Sequence, residues 1–104
     1  MGLSPTVRGI LEQIIDEEIA NIPSEVQFAR MPEVKRRLML NNDYDYVIGR
    51  FFGNVLTRFS STYFASLKNT QTITKEMIDD GVKEGVDSVL RRIPDVRTAI
   101  MNCG

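Results

Sequence analysis

Four prolines, Pro5, Pro23, Pro32 and Pro94, divide a chain whose apolar residues otherwise recur at helical spacing. Proline has no backbone N–H and its ring clashes with the preceding turn, so it opens or ends helices and is excluded from their interiors. Helix lengths are therefore set largely by these four positions. Ser4 is a good N-cap with Pro5 at the first helical position, and Val7, Ile10, Leu11, Ile14, Ile15, Ile19 and Ile22 then follow a 3.6-residue period. This predicts a first main helix over 5–22, ended by Pro23. Ser24 followed by Gln27 resembles a capping box and predicts a short helix over 24–30. Pro32 ends that helix and opens another over 32–40.

Asn41, Asn42 and Asp43 predict a turn and a cap for the longest helix, 44–67, which holds seven of the eight aromatics: Tyr44, Tyr46, Phe51, Phe52, Phe59, Tyr63 and Phe64. Its apolar arc is wider than a surface stripe, so this helix is expected at the centre, touched on several sides. After a polar loop at Asn69–Thr72, Thr74 caps a helix over 74–93, with Ile78, Val82, Val86, Val89, Leu90 and Ile93 as its apolar residues. Pro94 interrupts it, and 95–101 forms a last short helix. No segment alternates with period two. The expected fold is all-α: one domain, 1–104, a compact bundle of three main helices with three short Pro-bounded ones.

Two stretches resemble each other. Ile14-Ile15-Asp16-Glu17-Glu18-Ile19 matches Met77-Ile78-Asp79-Asp80-Gly81-Val82, and Arg30-Met31-Pro32-Glu33-Val34-Lys35 matches Arg92-Ile93-Pro94-Asp95-Val96-Arg97. This suggests an internal duplication of 14–39 and 77–101, with the two copies flanking the aromatic helix. Pro followed by an acid is also good helix-start chemistry in its own right, so the motif is compatible with chance.

Glycines occupy helix interiors at i, i+4 spacing: Gly49 and Gly53 on the long helix, in a row continued by Thr57, Ser61 and Ala65, and Gly81 and Gly85 on the later one. Each costs roughly 1 kcal/mol against alanine, so something should offset the loss. Small residues in an i±4 row let two helices approach closely. The first expectation is that one glycine row packs on the other within the chain; the second is a seam between two copies. Either way, Gly85→Leu should destabilise the fold or break a dimer.

Charge is segregated although the total is only −1. The first 29 residues are acidic, 30–75 are basic, and the remainder is again acidic. Arg30, Lys35, Arg36 and Arg37 form a basic cluster suited to phosphates or a partner, or to the chain's own acidic helices. Arg58 falls inside the apolar arc of the long helix and reads as a paired, partly buried charge.

There is no histidine, which removes the commonest general base and transition-metal ligand, and the single cysteine, Cys103, cannot form an internal disulfide. Asp16, Glu17, Asp79, Asp80 and Glu84 are oxygen donors for a hard cation, but adjacent acids on a helix point in different directions. No phosphate-binding loop or nucleophile–base set is present. No catalytic residue, cofactor or metal is therefore assigned. The start Met1-Gly2-Leu3-Ser4-Pro5-Thr6 fits a loose myristoylation pattern, but Pro5 reads better as a helix start. No signal peptide or membrane span is expected, and a cytoplasmic location is.

The long helix, the loop Asn69-Thr70-Gln71-Thr72 and then Ile73-Thr74-Lys75-Glu76-Met77-Ile78 resemble the end of a histone-fold unit, in which a central helix is followed by an Ile-Thr loop and a short helix. The resemblance covers less than half of the chain. An extra N-terminal helix, Pro-broken segments, two glycines in the later helix and no strong basic excess depart from it, and family membership is not drawn. The functional expectation is a non-enzymatic helical module that binds another protein, as a homo-oligomer or as a subunit of a complex. A nucleic-acid-binding module using segment 30–58 is the alternative.

Overall fold

The computed structural model describes residues 4–68 and 74–103, and among these the chain is all-α, with six helices and no strand. They are α1 Pro5–Ala20, α2 Ile22–Arg30, α3 Pro32–Leu38, α4 Asp43–Lys68, α5 Lys75–Arg91 and α6 Ile93–Met101. The caps follow local chemistry. Val7 N–H donates to Ser4 Oγ at 3.2 Å, Met77 N–H to Thr74 Oγ1 at 3.2 Å, and Tyr44 N–H to Asn42 Oδ1 at 2.8 Å. Each bond satisfies an amide that has no acceptor within its helix. The loop at 69–72, and Ile73 after it, lie outside the described residues.

Two boundaries differ from expectation for one reason. Ile22 and Ile93 belong to the helices that follow them, so α1 and α5 stop at Ala20 and Arg91, and α2 and α6 each open with Ile-Pro. Proline at the second position of a helix forfeits no intrahelical bond, so the chain bends two residues before the expected point. Ser24 is consequently inside α2 and caps nothing; the residue preceding α2 is Asn21, without a side-chain cap bond.

α4 lies at the centre and packs against α1, α2 and α5, while α6 packs on α1, α2 and α5. A single i, i+4 row of α4, Val47, Phe51, Val55 and Phe59, enters the core. Facing it are Leu11, Ile14 and Ile15 of α1, Ile22, Val26 and Ala29 of α2, Val89 of α5, and Val96 and Ile100 of α6. Burying each large aliphatic or aromatic side chain stabilises the fold by about 1.5–3 kcal/mol, and most of the driving force lies here.

The two halves correspond in a different register from 14–39 and 77–101. A capped helix of 16 residues, a one-residue break and a nine-residue Ile-Pro helix make up α1–α2; 17 residues, a one-residue break and a nine-residue Ile-Pro helix make up α5–α6. The similar Arg30–Lys35 and Arg92–Arg97 segments open α3 and α6, which are not equivalent. α3 has no buried residue, whereas α6 buries Val96 and Ile100.

Candidate interaction surfaces

The glycine rows do not meet. A Cβ at Gly81 would overlap the Tyr63 ring, and one at Gly85 would sit 3.3 Å from Phe59 Cδ2 and 3.5 Å from Leu56 Cδ2. Both residues are buried and bring α5 close to the large side chains of α4. Gly49 and Gly53 are exposed, and a Cβ at either would meet nothing within 4 Å. They floor an open groove of about 800 Å³ bordered by Tyr46, Arg50, Thr57 and Arg58. The row partners explain the split. Gly81 and Gly85 continue into Val89, while Gly49 and Gly53 continue into Thr57 and Ser61, which prefer water.

Arg58 is paired but not buried. Its side chain is 43% exposed, with Nη2 donating to Glu17 Oε1 at 2.6 Å and Nη1 to Glu18 Oε2 at 2.9 Å. The long stem lets the guanidinium leave the apolar arc and reach the surface of α1. The bond to Arg58, with a smaller one from Gln13, holds the Glu17 carboxyl below its ordinary range. Arg50 reaches Glu25 of α2 in the same way.

Arg92 is the densest ionic junction. From the break between α5 and α6 it donates to Asp16 at 2.7 Å, Glu12 at 2.8 Å and Asp95 at 2.8 Å, fastening α1 to the C-terminal pair. Hydrogen bonds to Asp16 and then Asp95 raise its already high pKa. Nothing in local periodicity singles out Arg92, because its partners lie 76 and 80 residues away.

The basic cluster is divided. Arg30 belongs to the bundle: Nε donates to Asp43 Oδ2 at 2.8 Å and Nη1 to the Cys103 carbonyl at 3.1 Å, joining α2 to the ends of α4 and α6. This bond keeps the Asp43 carboxyl below its ordinary range. Arg36 and Arg37 both hold Glu33 on α3 and depress its pKa, Arg36 more strongly. Lys35, Arg36 and Arg37 stand on the exposed turns of α3.

The same stretch of chain carries exposed apolar residues that sequence periodicity does not mark. Phe28, Met31, Leu38 and Met39 are 45, 50, 52 and 83% exposed. Met39 has φ 55° and ψ 43°, in the left-handed region that favours glycine. Met39 N–H donates to the Arg36 carbonyl and Leu40 N–H to the Lys35 carbonyl, closing α3 with a Schellman motif.

The remaining candidates do not converge. Asp16 and Glu17 are engaged by Arg92 and Arg58, and no group of three or more metal-ligating side chains occurs among the described residues. Cys103 is half-buried, its thiol donating to the Ala99 carbonyl at 3.2 Å. Among the described residues no helix is long and apolar enough to cross a membrane. The helix following the 69–73 segment has 17 residues, unlike the short helix that the histone-fold resemblance implies. No protein-family model, curated protein or solved structure matches the chain.

Proposed function

We propose that the chain is a non-enzymatic helical interaction module that docks another protein on the α2–α3 corner, in keeping with a cytoplasmic subunit of a complex. The observation that carries this reading is α3 itself. Seven residues are too few for a helix to be stable alone, and α3 buries none of them against the bundle. Large apolar side chains left exposed on consecutive elements, here Phe28, Met31, Leu38 and Met39, are a feature of binding surfaces. Two of the four are methionines, whose flexible thioethers suit adaptable contacts. Three bases against one acid over residues 31–39 give the corner a net charge of +2, which favours an acidic partner.

The pairing of Arg30, Arg50 and Arg58 with carboxylates of the chain itself weighs against the nucleic-acid alternative. Affinity capture with the wild-type chain and with Leu38→Glu/Met39→Glu tests the proposal. Proteins retained by the first and lost by the second support it. The same set on both baits, or steeply salt-dependent retention of nucleic acid by the wild type, overturns it.

A further inference from the structure

Among the described residues, α3 is the one helix that contributes nothing to the core. Pro32–Leu38 buries no residue, and it packs chiefly on α2, its neighbour in the chain. What holds it helical is local. Pro32 stands in the first turn, Glu33 accepts from Arg36 at 2.8 Å and from Arg37 at 2.6 Å, and three bases occupy the last turn. Against this, Met31 supplies no side-chain cap, and the helix closes through a left-handed methionine, Met39. Helices shorter than about 12–15 residues are marginal in water unless tertiary packing supports them.

The two ends of the segment, by contrast, are fixed from outside it. Arg30, the last residue of α2, donates to Asp43, the first of α4, at 2.8 Å and to the Cys103 carbonyl at 3.1 Å. Leu40 packs against the core. The connection from α2 to α4 is therefore closed at its base by contacts that do not pass through α3.

From this we infer that α3 is an independently melting flap: residues 31–39 uncoil and re-form while the other five helices stay packed. Opening exposes no buried side chain, so its equilibrium is set by the helix–coil balance of the segment, whereas that of the bundle is set by the core. The helical form predominates, and the open form is far more populated than the unfolded chain. This gives the fold a conformational device. A protein that recognises helical α3 has its apparent affinity reduced by the share of chains in which α3 is open, and its binding draws the segment into the helix. That consequence rests on the docking proposed above; the opening itself is a property of the free chain.

Native-state hydrogen exchange of the free chain, followed by NMR across sub-denaturing urea, tests the flap. The Lys35 and Leu40 amides donate to the Met31 and Lys35 carbonyls. Relative to intrinsic rates, they should exchange about a hundredfold or more faster than the amides of Leu11 and Val55, which belong to the core. Their exchange should barely respond to urea, because little surface is exposed. Arg36→Pro, which is incompatible with a helix interior, should abolish protection in α3 and leave that of Leu11 and Val55 within about tenfold of the wild type. Lys35 and Leu40 amides as slow as Val55, or an Arg36→Pro variant that unfolds or loses protection in the core, overturns the flap. No partner takes part, so this outcome is separate from that of the affinity capture.

Discussion

Two pairs of glycines with identical spacing behave in opposite ways. At Gly49 and Gly53 a methyl group enters open space, so Gly→Ala recovers helix propensity without penalty. Each substitution should raise stability by roughly 0.5–1 kcal/mol in urea unfolding. Gly81→Ala should lower stability despite the same gain, because the Tyr63 ring occupies the place of the new carbon. Met39→Gly relieves a left-handed backbone and should stabilise by about 1 kcal/mol in the same measurement, provided that the αL conformation is retained. The glycine spacing was legible in the sequence, but the facing was not. Periodicity states which residues share a row; the company of Val89 or of Thr57 and Ser61 is the sign that separates an inner row from an outer one.

Among the helices, the prolines made five of the six elements readable to within two residues, and the aromatic segment identified the central one. The Ile-Pro starts were missed because Pro23 and Pro94 were read as breaks ahead of their helices, whereas proline is accommodated inside the first turn, at its second position. The ionic connections were less visible, since Arg58 and Arg92 reach partners 40 to 80 residues away that no local pattern indicates. Their importance should differ with context. Arg92→Gln removes a guanidinium shared by three carboxylates on two helices and should cost roughly 1–3 kcal/mol by thermal or urea unfolding. Arg36→Gln, on an exposed pair within α3, should change stability by less than about 0.5 kcal/mol. Equal losses for the two would contradict the role given to Arg92.

For the molecule as a whole, acid is the condition to which these pairs respond. Glu17, Glu33 and Asp43 have carboxyl pKa values lowered by arginine partners. A group with a depressed folded pKa contributes stability above its unfolded pKa and loses it as pH falls through the folded one. With no histidine to titrate, the thermal midpoint should be level from about pH 7 to 5.5 and fall below about pH 4.5. A step near pH 6.5 would contradict this reading. Fold class and single-chain packing were accessible from periodicity and proline placement; the exposed α2–α3 corner was not, because an apolar residue on a short helix looks the same in sequence whether or not the bundle covers it.

The junction at Arg92 also bears on the order in which the chain assembles. During synthesis α1 emerges first, with Glu12 and Asp16 in water, and the cation that secures them follows 76 to 80 residues later. A chain that ends before that point holds α1 through α2, α4 and α5 without this junction. The ionic tie between α1 and the α5–α6 break therefore cannot form until Arg92 has joined the chain, although α1 already has α4, its main packing partner, to rest on.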